Sequence, residues 1–392
     1  MTSSNQTIAV RSGIETDQQF GAVTPPLYLS SNYTFTDLEQ PRQYDYSRSG
    51  NPTRDTLANT LAELEAGYGA VVTSSGMSAV YLVTHLLDKG DLIIAPHDCY
   101  GGTYRLLNSL AEKGVLKVDF VDQGCTESLH QALQKKPKLL WIETPSNPLL
   151  RVVDIQQICE LVGSDVIKVV DNTFLSPVLQ KPLTLGADIV VHSTTKYING
   201  HSDVVGGAVI AKEQELFEKI SWWANCIGVT GSPFDSFITS RGLRTLSVRL
   251  RQHQENTQTI IEYLQQQPLV KSIHYPGLES HPTHQIAKKQ QQGFGAMLSF
   301  ELKLEQANLR TFVNSLEYFS LAESLGGVES LICHPATMTH AAMTQEARVT
   351  AGINDSLLRL SVGIESADDL VRDLDSAFQR CQIKVLQDKK HG

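Results

Sequence analysis

The sequence predicts an α/β protein in which a large domain built on a mostly parallel mixed sheet is followed by a smaller α+β domain. Three observations lead there. Between about residue 57 and residue 210, short runs of four or five residues recur that are apolar on both faces, the pattern of strands covered on two sides. Helical stretches such as 78–87 and 106–113 separate several of them, which gives crossover connections rather than hairpins. Beyond Arg249 the pattern changes to a long polar helix, a Pro/Gly-rich passage around His274-Tyr-Pro-Gly and His281-Pro-Thr-His, and only two further strand candidates.

Taken in order, residues 1–55 are polar and turn-rich, with Pro25, Pro26, Pro41, Gly50 and Pro52 and no sustained periodicity. An unpatterned stretch this long beside a packed domain points to a functional or interaction arm. Residues 56–250 form the large domain, with strands expected at 70–73, 92–95, 117–121, 139–143, 167–171, 189–192 and 207–210. Residues 251–392 form the small domain, with strands at 297–302 and 357–362 and a terminal helix from Asp368. No internal repeat or low-complexity tract interrupts this order.

Composition narrows the function classes. The 392 residues carry 33 Lys+Arg against 42 Asp+Glu, a net charge of −9. A sequence-tolerant nucleic-acid binder needs broad basic surface to neutralise phosphates, so that class is disfavoured, although a local cationic pocket is not. The six cysteines show no Cys-x-x-Cys pair and no zinc-ribbon spacing. The opening Met1-Thr-Ser-Ser-Asn-Gln lacks the basic-then-apolar pattern of an export signal, and the stretch 70–87 carries too many hydroxyls for a membrane span. The expectation is therefore a soluble chain in a reducing cytoplasm, without membrane or nucleic-acid partners.

Common nucleotide and hydrolase signatures are missing. There is no Gly-Lys dipeptide for a P-loop and no Gly-x-Ser-x-Gly elbow, and Gly293-Phe-Gly295 precedes a strand instead of joining strand to helix. His281 and His284 lack a third supporting ligand, so no metal is expected. Two strand ends are more informative. The run Ile167-Lys-Val-Val-Asp171 puts a carboxylate at the end of a buried strand, and Ile189-Val-Val-His-Ser193-Thr-Thr195-Lys196 ends another with hydroxyls and a lysine. Ligands of open α/β sheets bind at the carboxyl ends of strands. A lysine there can condense with a carbonyl cofactor, and pyridoxal phosphate (PLP) requires that lysine plus an acid for its ring nitrogen. Either residue alone reads first as part of an ordinary strand-end ion pair or helix cap. Val71-Val-Thr-Ser-Ser75-Gly76-Met77-Ser78 adds a strand, a small-residue turn and a helix start, a phosphate cup in combination with Ser193 and Thr195.

Several spaced motifs occur in one order: Asp45-Tyr46-Ser-Arg48-Ser-Gly50-Asn51-Pro52, Ser75-Gly76-Met77, Tyr100-Gly101-Gly102, Asp171-Asn172-Thr173, Ser193-x-x-Lys196-Tyr, Arg241-Gly-Leu-Arg-Thr245, Glu323-Ser324-Leu-Gly-Gly327 and Leu358-Arg359-Leu-Ser-Val-Gly363. Over nearly the whole chain they resemble the Cys/Met-metabolism family of PLP enzymes, of fold type I. The resemblance implies that Lys196 holds the cofactor and moves protons, that Asp171 keeps its ring nitrogen protonated, and that Tyr100 stacks on the ring. It implies that Gly76, Met77, Ser193 and Thr195 cradle the phosphate, with Tyr46 and Arg48 supplied by a neighbouring subunit of a homotetramer. Arg359 and Ser324 are implied for the substrate α-carboxylate, with Glu323, Asn147 and Tyr46 also facing substrate.

Within the family, the stretches 95–105, 222–231 and 336–340 resemble the branch that forms cystathionine. The implied reaction is γ-replacement, in which L-cysteine displaces the acyl group of O-succinyl-L-homoserine to give L-cystathionine and succinate. Arg105 and Arg42 are candidates for the succinyl carboxylate, and both also fit solvated arginines. The same frame supports γ-cleavage of cystathionine; Ser49 after Arg48 matches that pattern, and a glutamate at 323 is common to both. The absence of an aromatic residue at 323 argues against β-cleavage. A PLP-binding regulator without turnover is the reading from another class.

Overall fold

The computed structural model describes residues 3–303, 306–341 and 343–391. Its backbone packing divides into two compact units. The first holds Met1–Pro96, Leu106–Glu143 and Asp154–Ser247; the second holds His97–Arg105, Thr144–Val153 and Val248–Gly392. The second unit is thus assembled from three separate stretches of chain.

The first unit carries a seven-stranded sheet: β1 (Gly69–Thr73), β2 (Leu92–Pro96), β3 (Lys117–Val121), β4 (Leu139–Glu143), β5 (Ile167–Asp171), β6 (Ile189–His192) and β7 (Gly207–Ala211), in the spatial order β1-β7-β6-β5-β4-β2-β3. All neighbours are parallel except β7, which runs antiparallel to both β1 and β6. Every residue of β4, β6 and β7 is buried, as expected for strands covered on both faces. One face, with Val169, Val191 and Val209, packs on the helix Gly76–Thr84 and its neighbours through Ala79, Val80 and Val83.

Before the sheet come α1 (Asn5–Val10) and α2 (Pro52–Glu65). Asn51 starts α2 by accepting from the N–H groups of Thr53 and Arg54 at 3.0 and 3.2 Å, with Pro52 in the first turn where its missing N–H costs nothing. The Asn51 amide also donates to the Tyr28 carbonyl and the Tyr33 hydroxyl at 3.0 and 3.1 Å, which ties the arm to the helix. Between residue 3 and the start of α2 the arm is otherwise irregular, apart from α1 and isolated bridges such as Asn32 with Tyr46.

The second unit holds a five-stranded sheet of β8 (Val270–His274), β9 (Met297–Leu302), β10 (Ser320–Leu321), β11 (Leu331–Cys333) and β12 (Leu357–Ser361), in the order β10-β11-β12-β9-β8. Only two of these five strands are legible in the sequence. β8 is an edge strand in which Lys271, Ser272 and His274 leave only Val270 and Ile273 apolar, and β10 and β11 are two and three residues long. Phe300, Phe312, Leu358, Leu374 and Phe378 form its core. Among the described residues no helix is long and apolar enough to cross a membrane. All six cysteines are free thiols.

Candidate active site

In the first unit β5 and β6 are parallel neighbours with Asp171 in register with Val191, so both strands end at one edge of the sheet. Asp171 closes β5, and the turn after β6 carries Ser193, Thr195 and Lys196. Thr173 joins the two ends. Its N–H donates to Asp171 Oδ1 at 3.0 Å, and its hydroxyl accepts from the Ser193 N–H at 2.9 Å. Lys196 is half-buried in a tight turn, its N–H donating to the Ser193 carbonyl at 3.2 Å and its own carbonyl accepting from Gly200 at 2.8 Å. Burial raises the Asp171 pKa above the ordinary carboxylate value, opposed by the Thr173 hydrogen bonds and the nearby His192 ring.

Beside them β1 runs through Ser74 and Ser75 into α3 (Gly76–Thr84). Ser75 Oγ caps α3 by accepting from the Ser78 N–H at 3.0 Å. The N–H groups of Gly76 and Met77 precede Ala79, whose N–H is the first to donate within the helix, to the Ser75 carbonyl, so the helix offers them to an anion. A Cβ at Gly76 would lie 2.8 Å from Ser193 Cβ and 3.1 Å from Ser193 Cα. Only glycine lets the start of α3 approach the β6 turn this closely. Gly207 has the same role from β7, since its Cβ would lie 2.2 Å from the Ser75 carbonyl oxygen. Met77 contributes backbone here, because its side chain packs into the core. The Thr195 hydroxyl donates to the Gly206 carbonyl at 3.2 Å and accepts from the Gly206 N–H at 3.0 Å, so it braces the turn through backbone.

The second unit brings together a different set. Arg359, on β12 opposite Cys333 of β11, is 3% exposed. One guanidinium nitrogen donates to Asn147 Oδ1 at 2.8 Å and the other to the Ser324 carbonyl at 2.9 Å, while the buried Nε has no partner among the described residues. Ser324 has φ of +91°, a strained conformation for a residue with a Cβ, and such strain is characteristic of functional sites. His340 supports Asn147 from behind: its Nε2–H donates to the Asn147 carbonyl at 3.1 Å and its Nδ1 accepts from the Thr339 hydroxyl at 2.9 Å. Burial above all, with the Arg359 charge, pushes the His340 pKa down to about 4, so the ring is neutral. Asp98 Oδ2 accepts from Ser146 Oγ at 2.9 Å and from Arg151 at 3.2 Å, which binds the loop before Tyr100 to the loop that carries Asn147. Tyr100 itself is 43% exposed at the start of the helix Gly101–Glu112.

The remaining expected residues lie elsewhere in the two units. Tyr46 and Arg48 are exposed on the arm, with the Arg48 guanidinium 5.6 Å from the Tyr46 ring centre. Arg42 is exposed and donates to the Thr34 carbonyl at 3.1 Å. Arg105 and Glu323 are exposed, and the Glu323 charge helps burial raise the Cys333 thiol pKa. His281 and His284 are tied locally, to Thr283 and to the Pro276 carbonyl. Sequence reasoning missed Asp98, His340 and a buried group around Glu65 and His192, because nothing in a lone Asp, Glu or His announces that it will be buried.

The residues fit PLP on the structure's own terms. A glycine-cleared helix start with two available N–H groups suits a phosphate, a half-buried carboxylate whose pKa burial raises suits a cationic ring N–H, and a half-buried lysine stands on the turn after β6. Comparison with known proteins agrees. Residues 6–379 match the family model described as Cys/Met metabolism PLP-dependent enzyme. The chain is 59% identical to cystathionine gamma-synthase of Escherichia coli (strain K12) over 97% of its own length and 99% of the relative's. It is 47% identical to cystathionine beta-lyase of Lactococcus lactis subsp. cremoris over 96% of its length and 99% of that protein's. Among solved structures, cystathionine gamma synthase from Xanthomonas oryzae pv. oryzae, in complex with aminoacrylate and cysteine, superimposes with a TM-score of 0.96 at 58% identity, covering 98% of this chain and 100% of that one.

Proposed function

The chain belongs to the Cys/Met metabolism PLP-dependent enzymes, and from that premise we propose that it makes L-cystathionine by γ-replacement, L-cysteine displacing succinate from O-succinyl-L-homoserine. The observation that carries this reading over cleavage is the end-to-end likeness, at 59% and 58% identity, to two proteins named as γ-synthases. When bound, PLP supplies the electron sink that makes protons at Cα and then Cβ of the substrate acidic.

The chain's own residues supply the rest. Lys196 would hold the cofactor and, once released by substrate, would carry the protons: off Cα, off Cβ before the leaving group departs, and back to Cβ and Cα once the thiolate has added. Asp171 holds the proton on the ring nitrogen, Tyr100 covers the ring, and Gly76, Met77 and Ser193 receive the phosphate, with Thr195 bracing their turn. Arg359 donates to the α-carboxylate in a two-pronged contact whose geometry Asn147 and Ser324 fix in advance. Glu323 faces substrate beside them, and Arg105 and Arg42 are assigned to the succinyl carboxylate. The Cγ–O bond breaks, succinate leaves with its electron pair, and the cysteine thiolate forms the Cγ–S bond.

The proposal includes a cytoplasmic homotetramer built of dimers. Tyr46 and Arg48 of one copy complete the phosphate site of another. Phe20, Val23, Leu29 and Leu38, 83%, 62%, 66% and 86% exposed along the arm, support that reading, since a lone chain gains nothing by leaving them in water.

The test is a product assay with O-succinyl-L-homoserine, with and without L-cysteine, run beside cleavage of L-cystathionine. Cystathionine should form faster than it is broken down. The opposite ranking overturns the synthetic assignment in favour of a lyase, and cofactor binding without turnover of either substrate would leave a regulator.

A further inference from the structure

Behind the strand ends, on the sheet face opposite the one that Asp171 shares with Val169 and Val191, sits a buried polar group that the proposed chemistry does not use. Glu65, the last residue of α2, is 0% exposed, as are His192 and Asn172. Two effects oppose a carboxylate here: burial, and the negative end of the helix dipole. Its position is explained by what it holds. One oxygen, Oε1, accepts from His192 Nε2 at 2.6 Å and from Asn172 Nδ2 at 2.9 Å. Asn172 directly follows Asp171, and His192 directly precedes Ser193 in the turn that carries Lys196. Asn172 is fixed further by Gln180, donating to its carbonyl at 2.8 Å and accepting from its amide at 3.1 Å, and by its own N–H on the Val191 carbonyl at 3.0 Å. A single carboxylate oxygen therefore pins the ends of two adjacent strands, one bearing the acid for the ring nitrogen and the other bearing the lysine.

We propose that Glu65 and His192 are positioning residues for the cofactor: the Glu65 Oε1 clamp sets the spacing between Asp171 and the Lys196 turn. This inference rests on the reading of Lys196 and Asp171 as PLP residues and adds to it a support from the far side of the sheet. The clamp works by accepting two hydrogen bonds, so glutamine, which keeps one such acceptor in the same place, preserves it. Methionine, of similar length but without the acceptor, abolishes it.

The experiment uses the full chain. Borohydride reduction of the wild-type holoenzyme, followed by peptide mass spectrometry, first establishes the adduct on Lys196. PLP affinity of stripped protein, ring-nitrogen NMR of isotope-labelled PLP, and thermal unfolding without cofactor are then measured for Glu65→Gln, Glu65→Met and His192→Leu. Glu65→Met and His192→Leu should weaken PLP binding about tenfold or more, the scale of a lost charge-assisted hydrogen bond. They should also move the ring-nitrogen signal toward the unprotonated position. Glu65→Gln should stay within about threefold of wild type on the same scale. His192→Leu leaves Glu65 intact and so keeps the test in force if Glu65→Met does not fold. Wild-type affinity and ring-nitrogen signal in the methionine or leucine variant overturn the clamp, as does failure of glutamine to rescue. Lack of any wild-type adduct on Lys196 instead removes the cofactor reading, and the clamp with it.

Discussion

Replacing Arg359 by lysine preserves the positive charge and removes the fork. In the native unit the guanidinium spends one nitrogen on Asn147 Oδ1 at 2.8 Å and one on the Ser324 carbonyl at 2.9 Å, and it is 3% exposed. A lysine ammonium in the same space can satisfy one of these acceptors while facing a carboxylate, and it cannot present two parallel donors. Hydrogen bonds to charged groups are worth about 1.5–3 kcal/mol each. With one such bond lost outright and a second weakened, Arg359→Lys should cost about 2–4 kcal/mol in transition-state binding, or roughly 30- to 1,000-fold in kcat/KM for O-succinyl-L-homoserine. The bound cofactor should keep its wild-type absorbance, since Lys196 and Asp171 belong to the other unit. Steady-state kinetics of cystathionine formation, with the cofactor spectrum as internal control, measure the effect. A change in kcat/KM below about threefold would refute the assignment of Arg359 as the carboxylate anchor.

Two other outcomes follow from particular contacts. Gly76→Ala places a methyl 2.8 Å from Ser193 Cβ and 3.1 Å from Ser193 Cα, and the backbone atom cannot swing aside. The overpacking cost is about 1–3 kcal/mol, so PLP affinity by titration of stripped protein should fall about 5- to 150-fold, and an unchanged affinity would count against the cup. Burial holds His253, His281 and His340 each at a pKa of about 4 in the folded chain, against 6.5 for a free ring. The folded-state values are the lower ones, so the unfolded chain binds more protons across that window. Stability is therefore present above about pH 6.5 and is lost as pH falls toward 4. Denaturant titrations across this range should show net proton uptake on unfolding, and His340→Gln should reduce that uptake by about one proton.

The first sheet was readable because its strands are buried on both faces. The runs 117–121, 139–143, 167–171 and 189–192 coincide with β3, β4, β5 and β6 to the residue, and the other three differ by one residue at an end. The helix Gly101–Glu112 begins five residues earlier than its sequence pattern, because Gly101 and Gly102 are poor helix formers and sit in the first turn through tertiary context. The residues proposed for the cofactor could be picked out for a related reason: Asp171, Ser193 and Lys196 mark strand ends, and a strand that can be located has an end that can be located. Asn147 and Arg359 came from the family resemblance alone, since their contact spans 212 residues of sequence. Glu65 shows the limit. In Ala-Glu-Leu-Glu65 it is one of two helix glutamates, and only the tertiary structure distinguishes the one under the sheet from the one in water.

The discontinuity of the second unit bears on how specificity in such a protein can change. Arg359 lies in its C-terminal stretch, Asn147 in Thr144–Val153 and Tyr100 in His97–Arg105. A recombination event with one crossover near residue 248 would bring a foreign Arg359 with its own Ser324 and His340 but leave the resident Asn147 and Asp98 loops. The acceptors that aim the guanidinium would then have two ancestries. Transplanting substrate preference from a relative therefore requires three exchanges at once, and inheritance by single crossovers should conserve the preference more tightly than the length of the C-terminal segment suggests.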